Sequence, residues 1–192
     1  MNWTTGAGKS INFFDITQKI KSHNKNKGQV IVGTDSHVKT GKCTFTTTIV
    51  LVGAQNQKGG LYFYKIEKYN DPDRFYNRIL KEAEKSINMA MKITELCPAT
   101  NVEIHIDISP EECNNRTSPM AKMLVGYAVG SGFACKIKPD SFAASVVADK
   151  HSKGEIIKIY YDKFLGLGMT QEMKHFIIVP FANITKRNYQ SM

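Results

Sequence analysis

Two apolar runs each carry an aspartate into what should be the interior of a sheet, and no other feature restricts the fold of this chain as much. The first is residues 29–38, QVIVGTDSHV, where Val30, Ile31 and Val32 read as a buried strand that ends at Asp35, with Ser36 and His37 behind it. The second is residues 102–109, VEIHIDIS, with Asp107 inside the run. Ionised carboxylates are rarely buried unless they are paired or bound to metal. A structural aspartate that binds its own backbone in a TDS turn would account for Asp35 alone. A site shared by both acids accounts for the pair.

The elements around these runs follow in a readable order. Residues 11–23 have the spacing of a short amphipathic helix. Three strands are expected next, at 29–35, 43–52 and 61–68, joined by the turns KTGK and QNQKGG, as in an antiparallel meander. The period then changes from two to 3.6. Over 73–96 the apolar positions Phe75, Ile79, Ala83, Ile87, Ala90 and Ile93 step by three or four and mark one long helix with a single buried stripe. The strand at 102–109, a helix at 118–131, a strand at 134–139 and a helix at 140–150 complete the pattern. Beyond them lies an extension, 153–192, with strand-like runs EIIKIYY and HFIIVPF. With no repeat or linker, the chain reads as one domain over 1–192, its core about 27–152. The predicted fold is α/β, a mixed five-stranded sheet flanked by helices, in the order of the ribonuclease H-like fold.

In that order the first strand is central, and the strand after the long helix lies parallel beside it. Asp35 and Asp107 are then neighbours whose repulsion a cation would relieve. Mg²⁺ takes oxygen ligands, commonly carboxylates and substrate phosphates. The long helix offers Glu82 and Glu84, which point about 200° apart. Glu82 follows Ile79 by three residues at the edge of the buried stripe, so it is the third candidate, and Glu84 is assigned to the surface. For a fourth acid, Asp140 and Asp149 are about 13.5 Å apart on a continuous helix and cannot both serve. Asp140 is placed to cap the helix, which leaves Asp149.

Several stretches resemble the YkuK-type ribonuclease H-like family of bacteria and their viruses. They are IVGTDSHV, RILKE with Glu82, HIDI, the loop Asn115-Arg116-Thr117, and KIKPDSFAASVVADKHS, which together span residues 29–152. The resemblance implies a ribonuclease H-like fold and a metal-dependent nuclease site formed by Asp35, Glu82, Asp107 and Asp149.

The expected activity is hydrolysis of phosphodiester bonds in RNA, an RNA/DNA hybrid or DNA with two Mg²⁺ or Mn²⁺ ions. One ion would acidify the attacking water and the other would stabilise the leaving oxygen. Ser36, Asn115, Arg116 and Lys138 are the candidate substrate contacts, with Lys150 and Lys153 as further phosphate candidates. His37 and His151 flank the acids as possible proton carriers, although an ordinary polar role suits them as well. His105 reads as a sheet-face residue and not a ligand. The 26 basic residues exceed the 17 acidic ones, for a net charge of +9, and this favours a nucleic-acid partner. The competing reading is a non-catalytic nucleic-acid- or protein-binding module on the same fold.

Other signals exclude more than they assign. TTGAGKS resembles the end of a phosphate-binding loop, but Trp3 stands where that motif needs glycine. No apolar run reaches membrane-spanning length and no secretory signal is evident. The four cysteines form no CxxC pair, so a reducing cytoplasm is the expected location.

Overall fold

The structure, a computed structural model, describes residues 3–70 and 74–153. Trp3–Thr5 (β1) and Ser10–Ile11 (β2) form a small hairpin. Helix α1, Phe13–Lys25, opens on Asn12, whose side chain accepts a hydrogen bond from the Asp15 amide at 2.8 Å. Ile16 and Ile20, one turn apart on α1, are fully buried.

The expected meander follows as β3 (Gln29–Lys39), β4 (Lys42–Val52) and β5 (Leu61–Tyr69). Thr40 and Gly41 close the first hairpin with positive φ at both positions, the geometry that matches the twist of the flanking strands. β3 is longer than its sequence suggests. It does not stop at Asp35 but pairs with β4 through Lys39. The polar triplet Asp-Ser-His imitates a turn, and the β4 partners Thr46, Phe45 and Thr44 keep it extended.

Helix α2, Phe75–Leu96, buries the predicted stripe: Ile79, Ala83, Ile87, Ala90 and Ile93 are each 5% exposed or less. The parallel strand β6, Val102–Ile106, ends one residue before Asp107, not beyond it. Its pairing with β3 ends at Thr34↔Ile106, where the Ile108 amide turns back onto the Ile106 carbonyl at 2.9 Å. A 3₁₀ turn, Ser118–Met120, leads into α3, Ala121–Gly130, and the short strand β7, Ala134–Lys136, pairs in parallel with β6.

Among the described residues the sheet therefore has seven strands, in the order β2-β1-β5-β4-β3-β6-β7, where five were expected. The two extra strands are the amino-terminal hairpin, which adds to the free edge of β5 through Thr4↔Tyr64. They were hidden because strands of three and two residues leave no periodicity to read. The predicted extension begins at the end of the described residues, and its two strand-like runs lie outside them.

α1, α2 and α3 cover one face of the sheet over the larger core. The opposite face carries a smaller cluster in which Phe142, Ala143 and Val147 pack on Ile31, Val50 and Tyr62. The segment that supplies it was expected to be a helix over 140–150. It is instead a π-helical stretch, Ala143–Ala148, continued by a short α4, Asp149–Ser152. The π-helical stretch crosses β3 at Gly33, where a Cβ would lie 2.7 Å from the Ala144 nitrogen and 2.8 Å from the Ala143 carbonyl carbon. The Thr48 hydroxyl donates to the Ala143 carbonyl, and the Ala143 amide donates to Nδ1 of the fully buried His105. These contacts fix where α4 starts, and α4 starts with Asp149.

Candidate functional site

Four elements deliver four acids to one end of the central strands. Asp35 lies one step past the last rung between β3 and β6, and Asp107 is the first residue after that rung on β6. With neighbouring strands ~4.8 Å apart, the two flank the point where the sheet opens. Glu82 arrives from α2 on one face and accepts a hydrogen bond from the Ser36 hydroxyl. Asp149 arrives from α4 on the other. Asp35 is 7% exposed and Glu82 2%, while the side chains of Asp107 and Asp149 are 21% and 13% exposed. Two acids are thus deep and two stand at the mouth. Glu84 is on the exposed side of α2, as its spacing indicates, and Asp140 is exposed.

The electrostatics tie the four into one group. Burial pushes the Asp35 carboxyl up to about 7, against a hydrogen bond from Ser152 that favours its charged form. The charges of Asp149 and then Asp107 add to the rise. Glu82 is pushed up to about 8, first by burial and then by Asp35, with Asp107 contributing. Arg78 lies 3.4 Å from Glu82 and pulls the other way without prevailing. Its guanidinium mainly serves Ser36, donating to the backbone carbonyl at 2.8 Å and to Oγ at 2.6 Å.

Each acid is engaged by a group of the chain itself. Ser152 Oγ donates to Asp35 Oδ2 at 2.5 Å. Lys153 Nζ sits 2.7 Å and 2.9 Å from the two oxygens of Asp149. Lys138 Nζ is 2.9 Å from Asp107 Oδ1 but off line for donation, so that oxygen is buried without a hydrogen bond. Among the described residues, no three His, Cys, Asp or Glu side chains gather closely enough to hold a metal ion.

The donor set nevertheless fits a hard divalent cation in kind and charge: four carboxylates at one end of the sheet, the two deepest of which are raised by burial and by neighbouring acids. Among the described residues, three buried side-chain atoms make no hydrogen bond, and two of them border Asp35. One is Asp107 Oδ1, which has its ion pair with Lys138; the other is Oγ1 of Thr46, directly opposite Asp35 on β4. A buried polar atom left unpaired costs about 1–3 kcal/mol, and a hydrated cation at Asp35 would offer a partner to Thr46.

The remaining candidates divide. Ser36 bridges Arg78 and Glu82. The Asn115 amide is spent within its own loop, accepting from the Thr117 and Ser118 amides and donating to Ser109. The exposed Arg116 stacks its guanidinium 3.7 Å from the Phe75 ring centroid. Lys138 faces Asp107. His105 is a core residue hydrogen-bonded to Glu103 at 2.8 Å and held below its usual pKa by burial. His151 stacks on Tyr64 at 3.7 Å, and burial with the Lys150 charge lowers it to about 4. It is neutral at physiological pH. Sequence reasoning missed Arg78, Ser152 and Thr46. Arg78 was within reach, since four residues before Glu82 is the same helix face.

A model of the ribonuclease H-like family matches residues 12–153. No curated protein and no solved structure matches the chain.

Proposed function

The chain belongs to the ribonuclease H-like family, and from that premise we propose that it is a metal-dependent nuclease hydrolysing phosphodiester bonds of RNA, an RNA/DNA hybrid or DNA. The observation that carries this reading is the convergence of four acids on one end of β3. Burial raises Asp35 and Glu82, the charges of Asp149 and Asp107 add to Asp35, and those of Asp35 and Asp107 add to Glu82. Four acids drawn from β3, α2, the end of β6 and α4 share one field. A purely structural role gives no reason to bring them together. We also read the chain as YkuK-type, from bacteria or their viruses, on the strength of the motifs at residues 29–152, and as cytoplasmic. Among the described residues no helix is long and apolar enough to cross a membrane.

Asp35, Glu82, Asp107 and Asp149 would hold Mg²⁺ or Mn²⁺, in one or two ions. When bound, such ions supply an acidified water and neutralise charge on the leaving oxygen. The chain's own residues do the rest. Ser152 orients Asp35 through its hydroxyl, Ser36 and Arg78 orient Glu82, and Lys138 and Lys153 stand at the mouth, where a phosphate would approach. Bound cations would neutralise the carboxylates there, and these two ammonium groups at the mouth would then stabilise charge on the phosphate oxygens.

One observation favours the alternative, a non-catalytic nucleic-acid-binding module: each acid already has a partner within the chain, and no three are gathered for a metal. A panel of RNA, DNA and hybrid substrates with Mg²⁺ or Mn²⁺ separates the two. Cleavage is expected in the unaltered protein, and a loss of about 10³-fold or more in Asp35→Asn and in Asp107→Asn, the scale for removing one member of a catalytic set. Cleavage that survives both substitutions, or none by the unaltered protein, rules the nuclease reading out.

A further inference from the structure

β3, β4 and β5 continue past the acids, and the register shows what they display there. On the face that carries Asp35, the row Asp35–Thr46–Ile66 is followed by His37–Thr44–Lys68 and then by Lys39–Lys42 at the hairpin end. The π-helical stretch covers the other end of this face, around Ile31 and Val50. Lys39, Lys42, Lys68 and Ile66 are exposed, Ile66 by 43%. Beyond Asp35, the one acid of these strands is Glu67. It faces the α2 side, paired with Lys65 and Lys85 at 3.2 Å each. Among the described residues of these strands, the outer half of the Asp35 face therefore carries lysines and no acid beyond Asp35. It runs from the acids for about 14 Å, four residues of strand.

We propose that this half-sheet is a docking surface for the sugar-phosphate backbone of a nucleic-acid duplex, leading away from the hydrolytic site; the inference rests on the nuclease reading. Charge gives the class of partner. One strand of a duplex carries a phosphate per 3.4 Å of axis, so 14 Å reaches phosphates about four base pairs from the site. The scarcity of rings gives the form. Surfaces that hold single strands stack bases on several aromatic side chains, whereas this track offers three lysines, Thr44, the aliphatic Ile66 and a single half-buried imidazole, His37. Tyr64, on the same face, is already stacked against His151.

The experiment measures duplex affinity against salt concentration, in a chelator so that nothing is cut. It compares the full chain with Lys39→Gln/Lys42→Gln/Lys68→Gln and with Lys19→Gln/Lys21→Gln/Lys25→Gln. The second set lies exposed on α1, behind the opposite face, and removes the same charge. Each lost phosphate contact lowers the salt slope by about 0.9. The track variant should therefore lose about 2–3 in slope and the α1 variant less than 1, with thermal stability unchanged in both. Equal losses in the two variants, no loss in the track variant, or tighter binding of single strands than of duplexes overturns the proposal while leaving a nuclease possible. Failure of the unaltered protein to bind any nucleic acid at low salt removes the nuclease reading with it.

Discussion

Asp35 and Glu82 are raised first by burial and then by neighbouring acids: Asp149 and Asp107 act on Asp35, and Asp35 and Asp107 on Glu82. Without a divalent cation they therefore keep protons that the unfolded chain would release. The sign follows directly. A carboxyl raised in the folded state contributes stability at low pH, and that contribution is lost as pH rises through the folded value. For these two the loss begins near the ordinary carboxyl values, about 4, and is complete by about 8. The depressed His105 and His151 act the opposite way, but only below about 6.5, where a free histidine begins to charge. In chelator, thermal melts should show stability falling between about pH 6.5 and 8 and levelling above it, and Asp35→Asn should flatten that fall. A flat profile in the unaltered protein would mean that the acids are better solvated than their burial implies. At this scale three of the four acids were singled out because each breaks a pattern, an aspartate in or ending an apolar run or a glutamate at the margin of a buried stripe. Asp149 was reached only by setting Asp140 aside as a helix cap. It was silent on Thr46, one threonine in a run of similar residues, whose place opposite Asp35 only the strand register reveals.

The elements that position the acids differ in how visible they were. α2 and the meander came from periodicity, which burial enforces directly. The π-helical stretch did not, since its six residues carry the composition of an ordinary helix. What selects it is tertiary: Thr48 and His105 hold Ala143 from the sheet, and Gly33 lets the backbone come close. Gly33→Ala tests this. Its methyl group would meet backbone atoms of Ala143 and Ala144 at 2.8 Å or less, which flexible side chains cannot relieve. A loss of about 1–3 kcal/mol in denaturant unfolding is expected, the usual cost of overpacking. Cleavage should fall as well, because α4 carries both Asp149 and Ser152. A fully stable and active Gly33→Ala protein would show that the crossing is looser than described.

For the whole molecule, strand order was legible as far as the meander, the long helix and the parallel strand after it, and this suffices to place Asp35 beside Asp107. The amino-terminal hairpin was not, because strands this short are defined by the β5 edge they join. The net charge of +9 pointed to a polyanion but to no surface; the fold brings Lys39, Lys42 and Lys68 together on one half-sheet. The account stands or falls on whether the four acids act together as a cation site. Calorimetric titration with Mn²⁺ at pH 7, repeated in buffers of different ionisation enthalpy, measures this without reference to any substrate. Binding should release about one to two protons, those held by Asp35 and Glu82, and Asp35→Asn or Asp107→Asn should abolish it. Absence of Mn²⁺ binding by the unaltered protein, or binding that persists unchanged in both variants, would contradict the account.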